Sequence, residues 1–352
     1  MEIDFSEINY LQNPTWKELH ADYEQFLLSM SGPTVIDVTG VNTHKCRVFI
    51  SLLQGNEPSG FIALHRWLIT KNVNDLPQTN LRFIICSVEA ASKKPFFSRA
   101  TISDCQDISR SFGKPEHQLI NQDNSNTRAQ LIKKAIREVK PEAVIDLHNT
   151  IGPSPAFAIS CRVTVEALSL TSFFCHTLVL SDVNSASLMG QDFSCSFVTI
   201  ECGGRFDEQA HEIAFAGISH IANSKSIDYT HQKSNVEVIY RPLRLRLKGN
   251  TELSYADHDE GNKGITLKSN IEYLNFGGAQ KNELIGWLDG DGINNVQLLD
   301  KEGNNVIDSY FYSRDNQLVC RKKLHIFKAT SSKQAALNDC LFYVAKNTNN
   351  ED

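Results

Sequence analysis

The sequence lacks several features that would mark other classes of protein. It has no apolar run long enough to form a membrane-spanning helix. The segment from Met1 to Glu7 is acidic and lacks the basic start and apolar core of a signal peptide. Nine cysteines are scattered without a Cys-x-x-Cys pair, so we expect reduced thiols instead of disulfides or a cysteine zinc site. These absences together predict a cytoplasmic protein.

An excess of basic charge is missing as well. The 352 residues include 35 Lys and Arg against 41 Asp and Glu, which gives a net charge of −6. We therefore expect neither a nucleic-acid partner nor a membrane partner. A local cationic pocket for an acidic small molecule stays compatible with this balance. The composition, 41% hydrophobic and 22% charged, is ordinary for a globular protein, and the length favours two domains.

Apolar strands alternate with amphipathic helices in residues 31–235. This alternation predicts an α/β fold with a largely buried sheet, in which functional residues gather just beyond the strand ends. Residues 1–30 are predicted to form a helical lead-in because their apolar residues recur at helical spacing. In residues 236–352, short strands separated by turns predict a smaller, β-rich C-terminal domain.

The turn at residues 54–57, Gln-Gly-Asn-Glu, follows an apolar strand and precedes a helix that Pro58 opens. Two ligands three residues apart on such a turn can reach one metal ion, and Gly55 lets the backbone bend between them. Zinc hydrolases commonly use two histidines and one glutamate. Here Gln54 offers an amide oxygen instead of an imidazole.

Other candidate residues also follow apolar strands. His148 is a possible metal ligand that Asp146 could orient, or else an ordinary hydrogen-bonded histidine at a strand end. Glu201, just before a pair of glycines, is a possible general base or a solvated glutamate. Arg110 could bind a carboxylate through two parallel hydrogen bonds, or it could be a surface arginine. Each residue alone leaves both interpretations open.

Taken in order, the motifs between about residue 40 and residue 205 resemble those of the succinylglutamate desuccinylase/aspartoacylase family. The matching segments are Leu53-Gln54-Gly55-Asn56-Glu57-Pro58-Ser59-Gly60, Asp107-Ile108-Ser109-Arg110, Arg128-Ala129, Asp146-Leu147-His148-Asn149-Thr150 and Thr199-Ile200-Glu201-Cys202-Gly203. The resemblance implies a zinc-carboxypeptidase-like fold, in which helices flank a mixed sheet and a smaller β-rich domain follows.

The resemblance also implies a set of metal ligands and a catalytic base. One zinc ion per chain would be held by Gln54, Glu57 and His148. Glu201 would act as general base and then as proton donor to the leaving amine, while the metal would activate water and polarise the scissile carbonyl.

A substrate site follows from the same resemblance. Arg110 would hold a substrate carboxylate, and Ser109, Arg99 and Asn149 are further candidate substrate contacts. Ser109 stands where the family has asparagine, just as Gln54 stands where the family has histidine.

Gln54 is the larger departure, because an amide oxygen is a harder and weaker zinc donor than imidazole. The site could then bind zinc loosely, prefer another metal or stay empty. A distant histidine could replace the missing ligand. His65 is a poor candidate since it lies well inside the following helix, whereas His44 and His176 stay open.

Two functions remain open from the sequence. The first is a metal-dependent amidohydrolase that cleaves the amide bond of an N-acyl amino acid or a similar small substrate; a peptidase acting on larger substrates is a variant of it. The alternative is a non-catalytic or metal-poor binding protein of the same fold that has lost activity through Gln54. Either protein could form a homo-oligomer.

Overall fold

The computed structural model describes residues 5–71, 75–102, 107–113, 124–182, 184–227 and 235–346. The chain divides into two compact units. The first comprises Met1–Asn149 and Ala156–Val238, and the second comprises Thr150–Pro155 and Ile239–Asp352. Among the described residues, no helix combines the length and the apolar character needed to cross a membrane.

A mixed sheet forms the centre of the first unit. Its strands are β1 (Asn9–Gln12), β2 (Thr34–Val38), β3 (Asn42–Ser51), β4 (Thr79–Ile85), β5 (Ala143–Thr150), β6 (Phe157–Ser160), β7 (Thr177–Leu180) and β8 (Ser196–Gly204). They lie in the order β1-β2-β4-β3-β5-β8-β6-β7, and β9 (Glu237–Tyr240) follows β7 at the edge of the sheet. β3 is parallel to both β4 and β5, whereas β6 is antiparallel to β8. The strands that carry the candidate residues, β3, β5 and β8, are therefore consecutive in the sheet.

Helices cover both faces of this sheet. They are α1 (Trp16–Leu19), α2 (Tyr23–Ser29), α3 (Ser59–Thr70), α4 (Val88–Ala91), α5 (Asn124–Glu138), α6 (Val165–Ser172) and α7 (Glu208–Asn223). Alternate residues of a strand point to opposite faces, and β3 shows the result. Phe49 packs into the core cluster that contains residues of α3 and α7, while Val48 and Ile50 pack into the cluster that contains residues of α5.

The second unit is built almost entirely of strands. After β9 (Glu237–Tyr240), in which the chain passes into this unit, come β10 (Leu243–Leu247), β11 (Leu253–Ala256), β12 (Ile265–Lys268), β13 (Leu284–Leu288), β14 (Val296–Leu298), β15 (Phe311–Arg314), β16 (Gln317–Cys320), β17 (Leu324–Phe327), the helix α8 (Lys333–Asn338) and β18 (Phe342–Lys346). They form one sheet in the order β14-β10-β18-β17 and another in the order β11-β12-β13-β16-β15. Buried residues such as Leu245, Ile285 and Phe342 share one apolar core.

This architecture confirms the predicted fold class, a mixed α/β sheet flanked by helices with a smaller β-rich C-terminal part. The N-terminal segment differs from the prediction of a purely helical lead-in. It contains two short helices, Trp16–Leu19 and Tyr23–Ser29, but also the strand β1, which pairs in parallel with β2. This long-range pairing is a tertiary contact that helical spacing within residues 1–30 could not indicate.

Arg47 is a fully buried cation near the start of the central part of β3. Its Nε donates to Glu142 at 3.0 Å, and one terminal nitrogen donates to the carbonyl oxygens of Ile221 and Ser224 at the end of α7. Lys45 binds the same glutamate at 2.6 Å but is exposed. One carboxylate thus has a buried and an exposed cationic partner.

We expect Arg47→Met to lower the free energy of unfolding by about 3 kcal/mol, because it leaves buried carbonyl groups and a half-buried carboxylate without their donor. Lys45→Met is the matched control and should cost less than about 1 kcal/mol, as exposed ion pairs do. Thermal unfolding of both variants and the wild type measures the difference. Equal shifts in melting temperature for the two variants would show that the hydrogen bonds of Arg47 between β3 and α7 do not stabilise the fold more than the exposed ion pair of Lys45 does.

Candidate functional site

The turn at residues 54–57 lies between β3 and α3. The amide N–H of Glu57 donates to the carbonyl oxygen of Gln54 at 3.2 Å, and the N–H of Gly55 donates to Ala100 at 2.9 Å. A Cβ atom at Gly55 would lie 2.7–2.8 Å from atoms of Ala90, Ala91 and Arg99. Glycine is needed here because other parts of the chain approach the turn closely.

The side chains of Glu57 and His148 meet at this turn. Oε2 of Glu57 lies 2.7 Å from Nδ1 of His148, and Nε2 of the same ring lies 2.8 Å from Oδ2 of Asp146. Burial alone would lower the pKa of His148, but the charges of Asp146 and Glu57 outweigh burial and raise that pKa well above its usual range. The imidazole is therefore held between two carboxylates, one on each ring nitrogen.

Gln54 is held by a different carboxylate. Its Nε2 donates to Oδ2 of Asp107 at 2.9 Å. Oδ1 of Asp107 accepts the backbone N–H of Ser109 at 2.9 Å, so Asp107 caps the 3-10 helix Ile108–Arg110. Because the amide nitrogen is used in this way, Oε1 is the atom of Gln54 that could face a cation.

Asn149 joins three elements around the turn. Its Oδ1 accepts the N–H of Ser59 at 3.0 Å, and its Nδ2 donates to Ser59 Oγ at 2.7 Å and to the carbonyl of Gly203 at 3.0 Å. Ser59 Oγ also lies 2.8 Å from Nδ1 of His211 on α7. Asn149 is buried and thus fixes the start of α3 to the ends of β5 and β8. The predicted contact of Asn149 with substrate stays a prediction.

Glu201 is buried on β8, the strand next to β5 in the sheet. Cys202 follows Glu201 on β8 and is fully buried. Burial raises the pKa of Cys202 well above its usual range, and the carboxylates of Glu201 and Glu57 raise it further. The predicted role of Glu201 as general base stays a prediction.

The predicted substrate contacts are more dispersed. Arg110 and Arg99 are exposed. Ser109 is half-buried and lies in the 3-10 helix beside Asp107. Their roles as substrate contacts stay predictions.

The His, Cys, Asp and Glu side chains of the described part of the chain do not form a metal site by themselves. No group of three or more His, Cys, Asp or Glu side chains there could hold a metal ion. His44 and His176 are exposed, and the buried Nε2 of His65 lies 3.0 Å from the carbonyl oxygen of Leu19. Of the three candidates, His65 is thus already occupied elsewhere, and no replacement for the missing histidine is evident in the described residues.

The remaining donors nevertheless fit a divalent cation. Glu57 and His148 present a carboxylate oxygen and an imidazole nitrogen side by side, and Asp146 holds the far nitrogen of the ring, as carboxylates do behind metal-bound histidines. Gln54 can add a neutral oxygen. The set therefore offers one histidine, one carboxylate and one amide, a harder set than that of most zinc hydrolases.

Sequence reasoning missed two features of the site. Asp107 was recognised only as part of the Asp-Ile-Ser-Arg motif, whereas its carboxylate accepts a hydrogen bond from the side chain of Gln54. His211 was overlooked, although it completes the chain of hydrogen bonds from Ser59 to Asn149. The available signal for His211 was a histidine on the helix that directly follows the Glu201 strand.

Comparisons with known proteins place these residues in one family. Residues 53–222 match the model of the succinylglutamate desuccinylase/aspartoacylase catalytic domain. This segment contains the Gln54 turn, His148, Asn149 and Glu201. No curated protein matches the chain by sequence.

Solved structures show the same fold over most of the chain. A succinylglutamate desuccinylase from Vibrio parahaemolyticus has a TM-score of 0.56 at 15% identity, with 93% of this chain and 95% of that one covered. A succinylglutamate desuccinylase/aspartoacylase from Rhodobacter sphaeroides has a TM-score of 0.55 at 14% identity, with 90% and 89% covered. Residues 53–222 thus match the catalytic domain of the succinylglutamate desuccinylase/aspartoacylase family, and the solved structures share the fold of the chain.

Proposed function

We propose that the protein is a metal-dependent hydrolase that cleaves the amide bond of an N-acyl amino acid or a similar small substrate. The observation that carries this proposal is the chain of half-buried Glu57, half-buried His148 and buried Asp146, with Glu201 buried on the neighbouring strand. Burying an ionised group is costly unless it is paired or binds a metal. Three ionisable side chains gathered at adjacent strand ends are therefore more consistent with a working site than with structural stability.

A divalent ion, with zinc as the first candidate, would be held by Glu57, His148 and the amide oxygen of Gln54. When bound, such an ion lowers the pKa of water and polarises a carbonyl group. We assign the positioning of the histidine to Asp146, because its hydrogen bond to Nε2 fixes the ring orientation and leaves Nδ1 toward Glu57.

Glu201 is assigned the proton transfers. As a carboxylate it would accept a proton from the attacking water, and it would then deliver that proton to the nitrogen of the departing amine. Its burial on β8 excludes bulk water that would compete for the same proton. The Asn149 hydrogen bonds to Ser59 and Gly203 hold the start of α3 against β8 and so support this geometry.

A binding protein without catalytic activity is the second candidate, and one observation favours it. Nδ1 of His148 contacts Glu57 directly at 2.7 Å, so this pair can be stable as an ion pair without any metal. Gln54 is similarly satisfied by Asp107 through its amide nitrogen. Metal content and turnover distinguish this candidate from the hydrolase.

We expect the purified protein, supplied with zinc, manganese or cobalt, to release free amine from N-acyl amino acids. Glu201→Gln should lower kcat by about 10²- to 10⁴-fold, the usual contribution of a general base. The matched control is Glu208→Gln, the same change at an exposed site on the first turn of α7. Amine release measured with a fluorogenic amine reagent, with each metal and with chelator, gives the comparison.

The hydrolase assignment fails if no metal supports turnover of any N-acyl amino acid tested. It also fails if Glu201→Gln and Glu208→Gln have equal activity. Stoichiometric, tightly held metal in the purified wild type would instead exclude the metal-poor binding protein.

We expect Gln54→His to raise the affinity for zinc by at least about tenfold, because imidazole is a better zinc donor than an amide oxygen. Gln25→His, at an exposed position on α2, serves as the control for adding a histidine. Competition with a chromophoric zinc chelator measures both affinities. An unchanged affinity in Gln54→His would mean that the turn does not contribute a metal ligand.

A further inference from the structure

A cavity of about 790 Å³ lies beside the turn that carries Gln54 and Glu57. Asn56, from the middle of the turn, and Arg205, which directly follows β8, both line it. The cavity therefore adjoins the two chain segments that hold Glu57 and Glu201. We call it the aromatic cavity, because its walls include Tyr23, Phe96, Phe97 and Phe206.

The aromatic wall is packed against the protein core. The ring of Phe97 lies 6.3 Å from that of Tyr23 and 6.5 Å from that of Phe96, and it also packs on the buried ring of Phe61 at 6.2 Å. Phe206, by contrast, is 83% exposed. Rigid, partly exposed rings around a concave site are typical of pockets that bind apolar groups.

Asn56 and Arg205, which line this cavity, each have one polar atom that is buried without a hydrogen-bond partner in the described parts of the chain. They are Oδ1 of Asn56, an acceptor, and Nε of Arg205, a donor. Leaving such atoms unsatisfied costs about 1–3 kcal/mol each. A ligand in the cavity would reach these two residues through their other polar atoms, with its apolar body against the aromatic wall.

We propose that the aromatic cavity binds an aromatic or large apolar group of the N-acyl amino acid, and that Arg205 determines specificity by donating to an oxygen of that substrate. Asn56 lines the same cavity from the turn. This inference rests on the proposed function and deepens it, because it names the substrate class. The guanidinium of Arg205 lies over the ring of Phe206, 4.6 Å from its centroid, which fixes the arginine beside the aromatic wall.

The charges around the aromatic cavity disfavour an acidic side chain at the same place. Lys94, Arg205 and Glu24 all line the aromatic cavity, and their charges sum to +1. This net charge matches the one carboxylate that every N-acyl amino acid carries. The side-chain carboxylate of an acidic substrate would have to lose its hydration and contact the aromatic wall without a cationic partner. Burying an unpaired charge in this way costs free energy.

The test is a set of binding measurements on the Glu201→Gln protein, in which hydrolysis is suppressed, by isothermal titration calorimetry with zinc supplied. N-acetyl-phenylalanine carries the ring on the amine half, N-phenylacetyl-glycine carries it on the acyl half, and N-acetyl-aspartate is the acidic comparison. We expect at least one aromatic probe to bind about tenfold or more tightly than N-acetyl-aspartate. The tighter aromatic probe identifies which half of the substrate enters the aromatic cavity.

Arg205→Gln should weaken binding of the preferred aromatic probe by about tenfold or more, since the substrate oxygen loses a charged donor. Arg162→Gln, the same change at an exposed arginine of the same unit, should leave it unchanged. Phe206→Ala provides a second variant that does not endanger folding, because its ring is already exposed, and it should weaken the aromatic probes more than N-acetyl-aspartate.

The inference is overturned if N-acetyl-aspartate binds at least as tightly as both aromatic probes, or if Arg205→Gln and Arg162→Gln bind the aromatic probe equally well. Turnover by the wild type separates this outcome from failure of the proposed function. Glu201-dependent hydrolysis of N-acetyl-aspartate alone would preserve the hydrolase and reject the aromatic cavity as its specificity site. Tight, Arg205-dependent binding of an aromatic probe without hydrolysis would preserve the site and reject the hydrolase.

Discussion

The imidazole of His148, held between the carboxylates of Glu57 and Asp146, is the interaction on which the rest of the site depends. The fold supplies it by placing β5 between β3 and β8, so that residues from three consecutive strand ends meet. A buried histidine between two carboxylates is stable only while these charges compensate one another or share a cation. The hydrogen bonds of Asn149 keep this arrangement in place, because they tie the start of α3 to the ends of β5 and β8.

Gln54 changes what this arrangement can hold. A histidine at its position would complete a familiar zinc site, whereas the amide contributes a neutral oxygen and uses its nitrogen to bind Asp107. Having glutamine instead of histidine at position 54 does not change His148 or the two carboxylates that contact its ring, those of Glu57 and Asp146. The chain thus has Glu57, His148 and Asp146 as a charged cluster, with the amide of Gln54 at the other end of the turn that carries Glu57. Metal affinity and metal preference are the properties that such a change would alter first.

The sequence predicted much of this architecture, and the physical reasons for its successes and failures differ. The alternation of apolar strands and helices predicted the sheet, and the ends of β3, β5 and β8 were the predicted location of the site. The sequence could not predict features that depend on side-chain orientation. Examples are the hydrogen bond from Gln54 to Asp107 and the burial of one polar atom each in Asn56 and Arg205. Their positions depend on loops that meet only in the folded chain. The strand β1 was not predicted for a similar reason, because it forms by pairing with β2, a contact that is made only in the folded chain.

The central claim is that Glu57 and His148 share one divalent ion. A crystal structure grown with zinc, with anomalous diffraction recorded at the zinc edge, tests it most directly. We expect a single anomalous peak about 2.0–2.2 Å from Nδ1 of His148 and from a carboxylate oxygen of Glu57, with the two side chains moved slightly apart. A protein without such a peak, in which Glu57 and His148 keep their direct contact at 2.7 Å, would contradict it.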